Sequence, residues 1–177
     1  LMELLPNVMI TDGFGSSETG AQGSQRLQPG EEFGGRTRFQ PMDSGTLVLD
    51  ADLRPVQPGS GDIGRVALRG RVPIGYHGDP ERTAATFPVI DGVRHVVTGD
   101  MATVEADGTV ALLGRGSVSI NTGGEKVFPE EVEGVVKAHP AVYDAIVVGV
   151  PDARWGESVC AVVQLSPGET LTLDELQ

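Results

Sequence analysis

Residues 12–20 read DGFGSSETG, two serines, a glutamate and a threonine set among glycines with Phe14 ahead of them. Glycine lets a backbone turn tightly or come close to a ligand. Hydroxyls and a carboxylate in such a turn can hold phosphate, metal or water, and they can equally well solvate a loop. Spacing excludes the first chemistries to test. A P-loop needs a lysine after its second glycine, and no lysine precedes Lys126. A dinucleotide fingerprint begun at Gly13-Phe14-Gly15 would put its third glycine at Glu18, which cannot pack against a helix there. A nucleophile elbow centred on Ser17 has Gly15 before it but Thr19 where the second glycine belongs. His77, His95 and His139 are scattered, so neither serine has a base assigned by sequence. Metal-ligand spacing of the Cys/His type is absent as well.

What survives is a cluster of donors with one hard anionic ligand. Serine hydroxyls and backbone N–H groups suit phosphate oxygens. A lone carboxylate, Glu18, suits Mg²⁺, which takes one or two carboxylates and fills the rest with phosphates and water. The Phe14 ring can lie flat on a base. A plain solvated turn would use the same residues.

The elements around this stretch are short and turn-rich. GTLVLD (45–50) and GRVALRG (64–70) read as strands, the second alternating apolar and polar. PERTAATF (80–87) opens with proline in a first helical turn. Asp91-Gly92 and Asp107-Gly108 mark two hairpins, since Asp-Gly supplies the positive φ such turns need. Together these predict an antiparallel, barrel-like β layer. The texture changes after Arg115. GRGSVSINTGGEK reads as a long polar connection, PEEVEGVVKAH (129–139) as a helix with Val132, Val135 and Val136 on one stripe, and AVYDAIVVGV and ESVCAVVQL as strands. Thr172 followed by Glu175 reads as a capping box opening another helix. This is an α+β pattern with a boundary near Gly116 to Ser119. A start at Leu1 inside an apolar run, and a capping box with two residues after it, predict a piece of a longer protein.

Composition bounds the partners. The chain of 177 residues carries a net charge of −12 and a pI near 4.5, which argues against a nucleic-acid backbone. The single cysteine, Cys160, excludes an internal disulfide framework and points to a reduced compartment. No apolar run is long enough to span a bilayer. The expected location is the cytoplasm, with peripheral contact at a membrane surface as a variant. Homo-oligomerisation is left open.

Four stretches in order change the weight of the glycine-rich one: GFGSSETG, VTGD (97–100), the Gly114-Arg115 pair, and INTGGEKVFPEEVE (120–133). With GDIGRVALRG…GYHGDPERTAATF between the first two, they resemble the successive signatures of the AMP-forming adenylate enzymes. That superfamily includes acyl-CoA synthetases, adenylation domains and firefly luciferase. TGGEKVFPEEVE is most similar to fatty-acyl-CoA synthetases. The resemblance implies that residues 1–115 are the C-terminal part of a large adenylate-forming domain, 116–118 a hinge, and 119–177 the start of a small α+β domain, truncated at both ends.

The resemblance also implies roles. Phe14 matches the residue that stacks on adenine, with Asp12, Gly13 and Gly15 around the nucleotide. Ser17 matches the hydroxyl that meets the ATP phosphates, and Glu18 the carboxylate that binds Mg²⁺. These two stand in the catalytic set. Asp100 matches the acceptor for the ribose hydroxyls, Arg115 a second ribose contact, and Ser117 the hinge. Gly123, Gly124 and Glu125 resemble the lining of the pantetheine tunnel, and Trp155 a contact to the coenzyme A nucleotide. Each has a plainer reading: a turn cap for Asp100, a surface charge for Arg115, a turn for Gly123-Gly124, packing for Trp155. Three departures accompany the match. Ser117 replaces the usual Asp or Lys, Phe14 replaces the commoner tyrosine, and the family's phosphate loop and late lysine are not in the chain.

The expected activity is that of an ATP-dependent acid–thiol ligase, an acyl-CoA synthetase using ATP, Mg²⁺ and coenzyme A. Fatty acids lead as substrates, with aryl and steroid side-chain acids behind. The alternatives are an adenylation domain that loads a carrier protein, and a nucleotide-binding fragment without turnover.

Overall fold

A computed structural model of the chain describes residues 7–27, 38–42 and 44–176. The apolar start, residues 1–6, lies outside the described residues. The chain divides into two compact units, Leu1–Leu112 and Leu113–Gln177.

The first unit opens with a hairpin of β1 (Ile10–Ser16) and β2 (Gly20–Leu27). Then come β3 (Arg38–Pro41), β4 (Thr46–Leu49), β5 (Gly64–Arg69), helix α1 (Pro80–Thr86), β6 (Val89–Ile90), β7 (Val93–Val104) and β8 (Val110–Arg115). The strand order is β1-β2-β3-β8-β7-β5-β4, with β6 paired to β7. The expected barrel-like closure is therefore corrected: β1 and β4 are the two ends of an open antiparallel sheet among the described residues. Apolar residues on both faces explain its layering. Val48, Val56, Val66, Ala102 and Val110 form one buried cluster, against which Phe14 packs. Leu49, Ala67 and Val97 form another, joined by Leu47 and Ile90.

The two Asp-Gly turns differ in kind. Asp91 and Gly92 both have positive φ, 50° and 76°, as a two-residue hairpin of the primed type requires. At the second, only Gly108 is left-handed, with φ 84°, and Glu105 N–H pairs with the Thr109 carbonyl at 2.9 Å. This turn closes with glycine alone in the left-handed region. Helix α1 starts as its sequence predicts, with Asp79 accepting from the Arg82 N–H at 2.9 Å and Pro80 in the first turn.

The division between the units falls within β8. The second unit continues with a 3-10 turn (Gly116–Val118), β9 (Ile120–Thr122), β10 (Glu125–Val127), α2 (Pro129–Lys137), β11 (Val142–Asp152), β12 (Gly156–Leu165) and α3 (Leu173–Leu176). The stretch expected to be a long polar connection is thus a turn and a small hairpin, β9–β10, in a sheet ordered β10-β9-β12-β11. Its strands are too short and polar for a strand pattern to be visible. Val136, Val142 and Ala145 form the core between α2 and the sheet. Glu175 accepts from the Thr172 N–H at 2.8 Å, the reciprocal half of a capping box.

Helix α2 also protects a sheet edge. Strand β11 is the outer strand, and its Val147 N–H donates to Glu133 Oε1 at 2.9 Å. Lys137 on the same helix meets Asp144 at 2.9 Å. Exposed edge N–H groups invite pairing with other chains, and here a side chain takes one up. Glu133→Ala leaves that N–H beside the buried Val147 side chain without its acceptor. We expect a loss of about 1–3 kcal/mol, read as a lower melting temperature with the fold retained by circular dichroism.

Among the described residues, no helix is long and apolar enough to cross a membrane.

Candidate functional site

The stretch Asp12–Gly20 is two strands and a turn. Five of its residues, Asp12 to Ser16, lie in β1, Gly20 begins β2, and Ser17-Glu18-Thr19 form the turn between them. Gly15 is required by closeness: a β-carbon there would stand 2.1 Å from the Gly20 carbonyl oxygen. Gly23, opposite Phe14 in the ladder, is required by the ring, because a β-carbon on it would lie 2.3 Å from Phe14 Cε1. Phe14 therefore lies across a bare backbone and meets the Phe39 ring at 4.8 Å between centroids. A register shift between Phe14 and Gly15 marks a bulge at this point, a device that re-aims side chains.

The two serines divide the work. Ser16 builds the turn: its N–H donates to Thr19 Oγ1 at 2.9 Å, and its Oγ accepts from the Glu18 N–H at 3.2 Å. Ser17 is exposed and lines an open cleft of about 700 Å³ with Gly13, Phe14, Gly15, Gly20 and Met42. Asp12 is exposed beside it, its Oδ1 accepting from the Gly13 N–H at 2.8 Å.

Glu18 has a partner that sequence reading did not single out. The Tyr76 hydroxyl donates to Glu18 Oε1 at 2.6 Å across 58 residues. That donation is the main reason the Glu18 carboxyl is held below the usual carboxylate range. The backbone, Ser16 and the charge of Arg82 add to it, and burial opposes it. Glu18 titrates lower here than in an unfolded chain. The contact therefore contributes fully at neutral pH and is lost as pH falls through the depressed value. A carboxylate anionic at neutral pH fits a hard cation that arrives with phosphate oxygens. No cluster of three or more His, Cys, Asp or Glu among the described residues could hold a metal by protein ligands alone.

Asp100 sits on β7, separated from β1 by β2, β3 and β8 in the sheet. Its neighbourhood is irregular. Ala67 of β5 pairs with Val97, and Arg65 pairs with Met101, so three residues of β7 face one of β5. This bulge carries Thr98, Gly99 and Asp100. Thr98 Oγ1 bonds the Val66 carbonyl at 3.1 Å and accepts from the Asp100 N–H at 3.3 Å. Asp100 is thus a mid-strand residue on a bulge, and the turn-cap reading is set aside.

In the second unit, exposed Arg115 ends β8 and exposed Ser117 stands in the 3-10 turn. Gly123 and Trp155, 32 positions apart, come together. The Gly123 N–H donates to the Trp155 carbonyl at 3.0 Å, and a β-carbon on Gly123 would stand 3.0 Å from the indole. Trp155 is 48% exposed. The Arg154 guanidinium covers its ring at 4.5 Å. Gly124 and Glu125 are exposed beside it on the β9–β10 hairpin.

Comparison with known proteins gives a consistent set of relatives. Residues 131–177 match the family model described as the AMP-binding enzyme C-terminal domain. The chain is 57% identical over 175 residues to the 3-oxocholest-4-en-26-oate--CoA ligase of Rhodococcus rhodochrous, covering 99% of this chain and 31% of that protein. It is 56% identical over 176 residues to the medium/long-chain-fatty-acid--CoA/3-oxocholest-4-en-26-oate--CoA ligase of Mycobacterium tuberculosis (strain ATCC 25618 / H37Rv), covering 99% and 32%. The crystal structure of ATP-bound MatB from Rhodopseudomonas palustris superimposes with a TM-score of 0.74 at 31% identity, over 94% of this chain and 32% of that one. The chain spans about a third of the length of the curated relatives it matches.

Proposed function

We propose, for a chain whose residues 131–177 match the AMP-binding enzyme C-terminal domain model, that the protein carrying it is an ATP-dependent acyl-CoA ligase. The observation that carries this reading is the hairpin site. It combines an aromatic ring over bare glycine backbone, an exposed serine, and a carboxylate kept anionic, all around one turn. The relatives' names support the reaction class.

In the first half-reaction a substrate carboxylate oxygen attacks the α-phosphorus of ATP. The bond to the β-phosphate bridging oxygen breaks and pyrophosphate leaves. Catalysis of this kind rests on positioning and charge stabilisation. Phe14 offers a face to adenine, with Asp12 and Gly13 at its edge. Gly15 and Ser17 offer the backbone and hydroxyl donors that phosphate oxygens need. Glu18 offers an anionic carboxylate, and Mg²⁺ held there would neutralise phosphate charge. Asp100 accepts from the ribose hydroxyls, and Arg115 is a nucleotide ligand in its own right. No serine is a nucleophile.

In the second half-reaction the coenzyme A sulfur attacks the acyl carbonyl of the adenylate. The carbon–oxygen bond to AMP breaks and the thiol proton is lost. Ser117 is the pivot between the two arrangements, and Gly123, Gly124, Glu125 and Trp155 line the path of the thiol arm. The acid is a fatty acid, with steroid side-chain acids next, since both appear in the names of the relatives. The cytoplasm is the location this chemistry fits.

Acid-dependent exchange between pyrophosphate and ATP in the full-length protein tests the first half. Exchange with medium- or long-chain fatty acids supports the proposal. Exchange absent with every acid tried would end it.

A further inference from the structure

The Tyr76 hydroxyl is held with more apparatus than a chance contact requires. Its loop is clamped from β7, where the Arg94 side chain donates to the carbonyls of Pro73, at 3.3 Å, and of Ile74. Helix α1 fixes the Tyr76 backbone, with Thr83 Oγ1 accepting the Tyr76 N–H at 2.9 Å and donating to the Asp79 carbonyl at 2.6 Å. The ring is held on two sides. The Arg82 guanidinium lies 4.0 Å from its centroid, and the Phe87 ring lies 5.4 Å away. Gly75 keeps the Thr83 side chain close, since a β-carbon there would stand 2.4 Å from Thr83 Cγ2. All this brings one O–H to one carboxylate oxygen at 2.6 Å.

We infer that Tyr76 is a positioning residue for Glu18, holding Oε1 and so fixing the carboxylate that meets the nucleotide's cation. The inference rests on the proposed ligase reading. A carboxylate on a three-residue turn has several rotamers, and a cation bound through one oxygen gains from having that oxygen already in place. A bound Oε1 also removes the option of bidentate cation binding, which suits Mg²⁺ with its strict octahedral demand. Arg82, stacked on the ring, steadies the phenol.

The test is a double-mutant cycle in the full-length protein with Tyr76→Phe, Glu18→Gln and the double variant. Tyr76→Phe keeps the ring, its Arg82 and Phe87 contacts and the loop, and loses only the O–H. ATP binding is measured by calorimetry with Mg²⁺ and with chelator. The quantity read is the gain in affinity that Mg²⁺ confers. We expect Tyr76→Phe to reduce that gain about tenfold, the value of one hydrogen bond to a charged group, with metal-free ATP affinity unchanged. In the Glu18→Gln background the same change should add nothing. A merely structural tyrosine would weaken ATP binding equally with and without metal, and that result overturns the inference. If the unaltered protein shows no Mg²⁺-dependent gain while still exchanging pyrophosphate, the inference also fails and the ligase reading stands. If it neither binds ATP nor exchanges pyrophosphate, the ligase reading itself has failed.

Discussion

Asp100→Ala lowers the affinity of the full-length protein for ATP and AMP about 100-fold. On the proposed reading the carboxylate accepts from two ribose hydroxyls. Each hydrogen bond to a charged acceptor is worth about 1.5–3 kcal/mol, so losing two removes at least two decades. The bulge backbone has its own ties. Thr98 Oγ1 ties the bulge to the Val66 carbonyl and to the Asp100 N–H, and neither bond uses the Asp100 carboxylate. Equilibrium titration with AMP reads the effect directly. Unchanged affinity would remove the ribose role and leave Asp100 as an ordinary strand residue.

Glu18→Gln lowers the rate of adenylate formation by about 100- to 1000-fold, the range seen when one electrostatic contact to a transition state is removed. The substitution keeps the length and shape of the side chain but removes its charge. AMP affinity should fall much less, since AMP lacks the β- and γ-phosphates that the cation accompanies. The split between a large loss in turnover and a small loss in AMP binding separates this role from collapse of the turn. Single-turnover formation of pyrophosphate measures the first, and titration measures the second. A variant that turns over normally would mean that Glu18 serves the hairpin only.

The elements that a sequence shows well are those with strong local signals. Helix α1 is legible through Pro80, and α2 through Pro129 and its valine stripe, because first-turn prolines and apolar spacing act within a few residues. Strand β5 is legible from its apolar/polar alternation, and β12 from its valines. The first hairpin was not. Its strands, ITDGFGS and GAQGSQRL, are poor in β-formers. Their pairing is made possible by a close backbone approach at Gly15 and a ring over Gly23, and neither is visible before the strands meet. Closure of the first sheet was expected and is not found, because strand number and turns do not fix what the end strands do. Strands β9 and β10, three residues each, carry too little pattern to register.

The candidate site divides the same way. Phe14, Ser17, Glu18 and Asp100 stood out because their motifs are contiguous. Tyr76 did not, although GYHGDPERT was in view. Its meaning lies in a bond to a residue 58 positions earlier, and only the folded loop supplies that. Asp100 was legible as a residue and not as a geometry: the bulge that carries it depends on how β7 registers against β5. The Gly123–Trp155 contact is of the same kind, a long-range meeting of two residues each of which admits a local explanation alone.

The most direct measurement of the central claim is AMP release by the full-length protein with ATP and Mg²⁺, across a panel of carboxylic acids, with and without coenzyme A. The account predicts AMP in multiple turnovers only when coenzyme A and a fatty or steroid side-chain acid are both present, with acyl-CoA formed in equal amount. AMP release that ignores coenzyme A, or that never occurs with any acid, would contradict it.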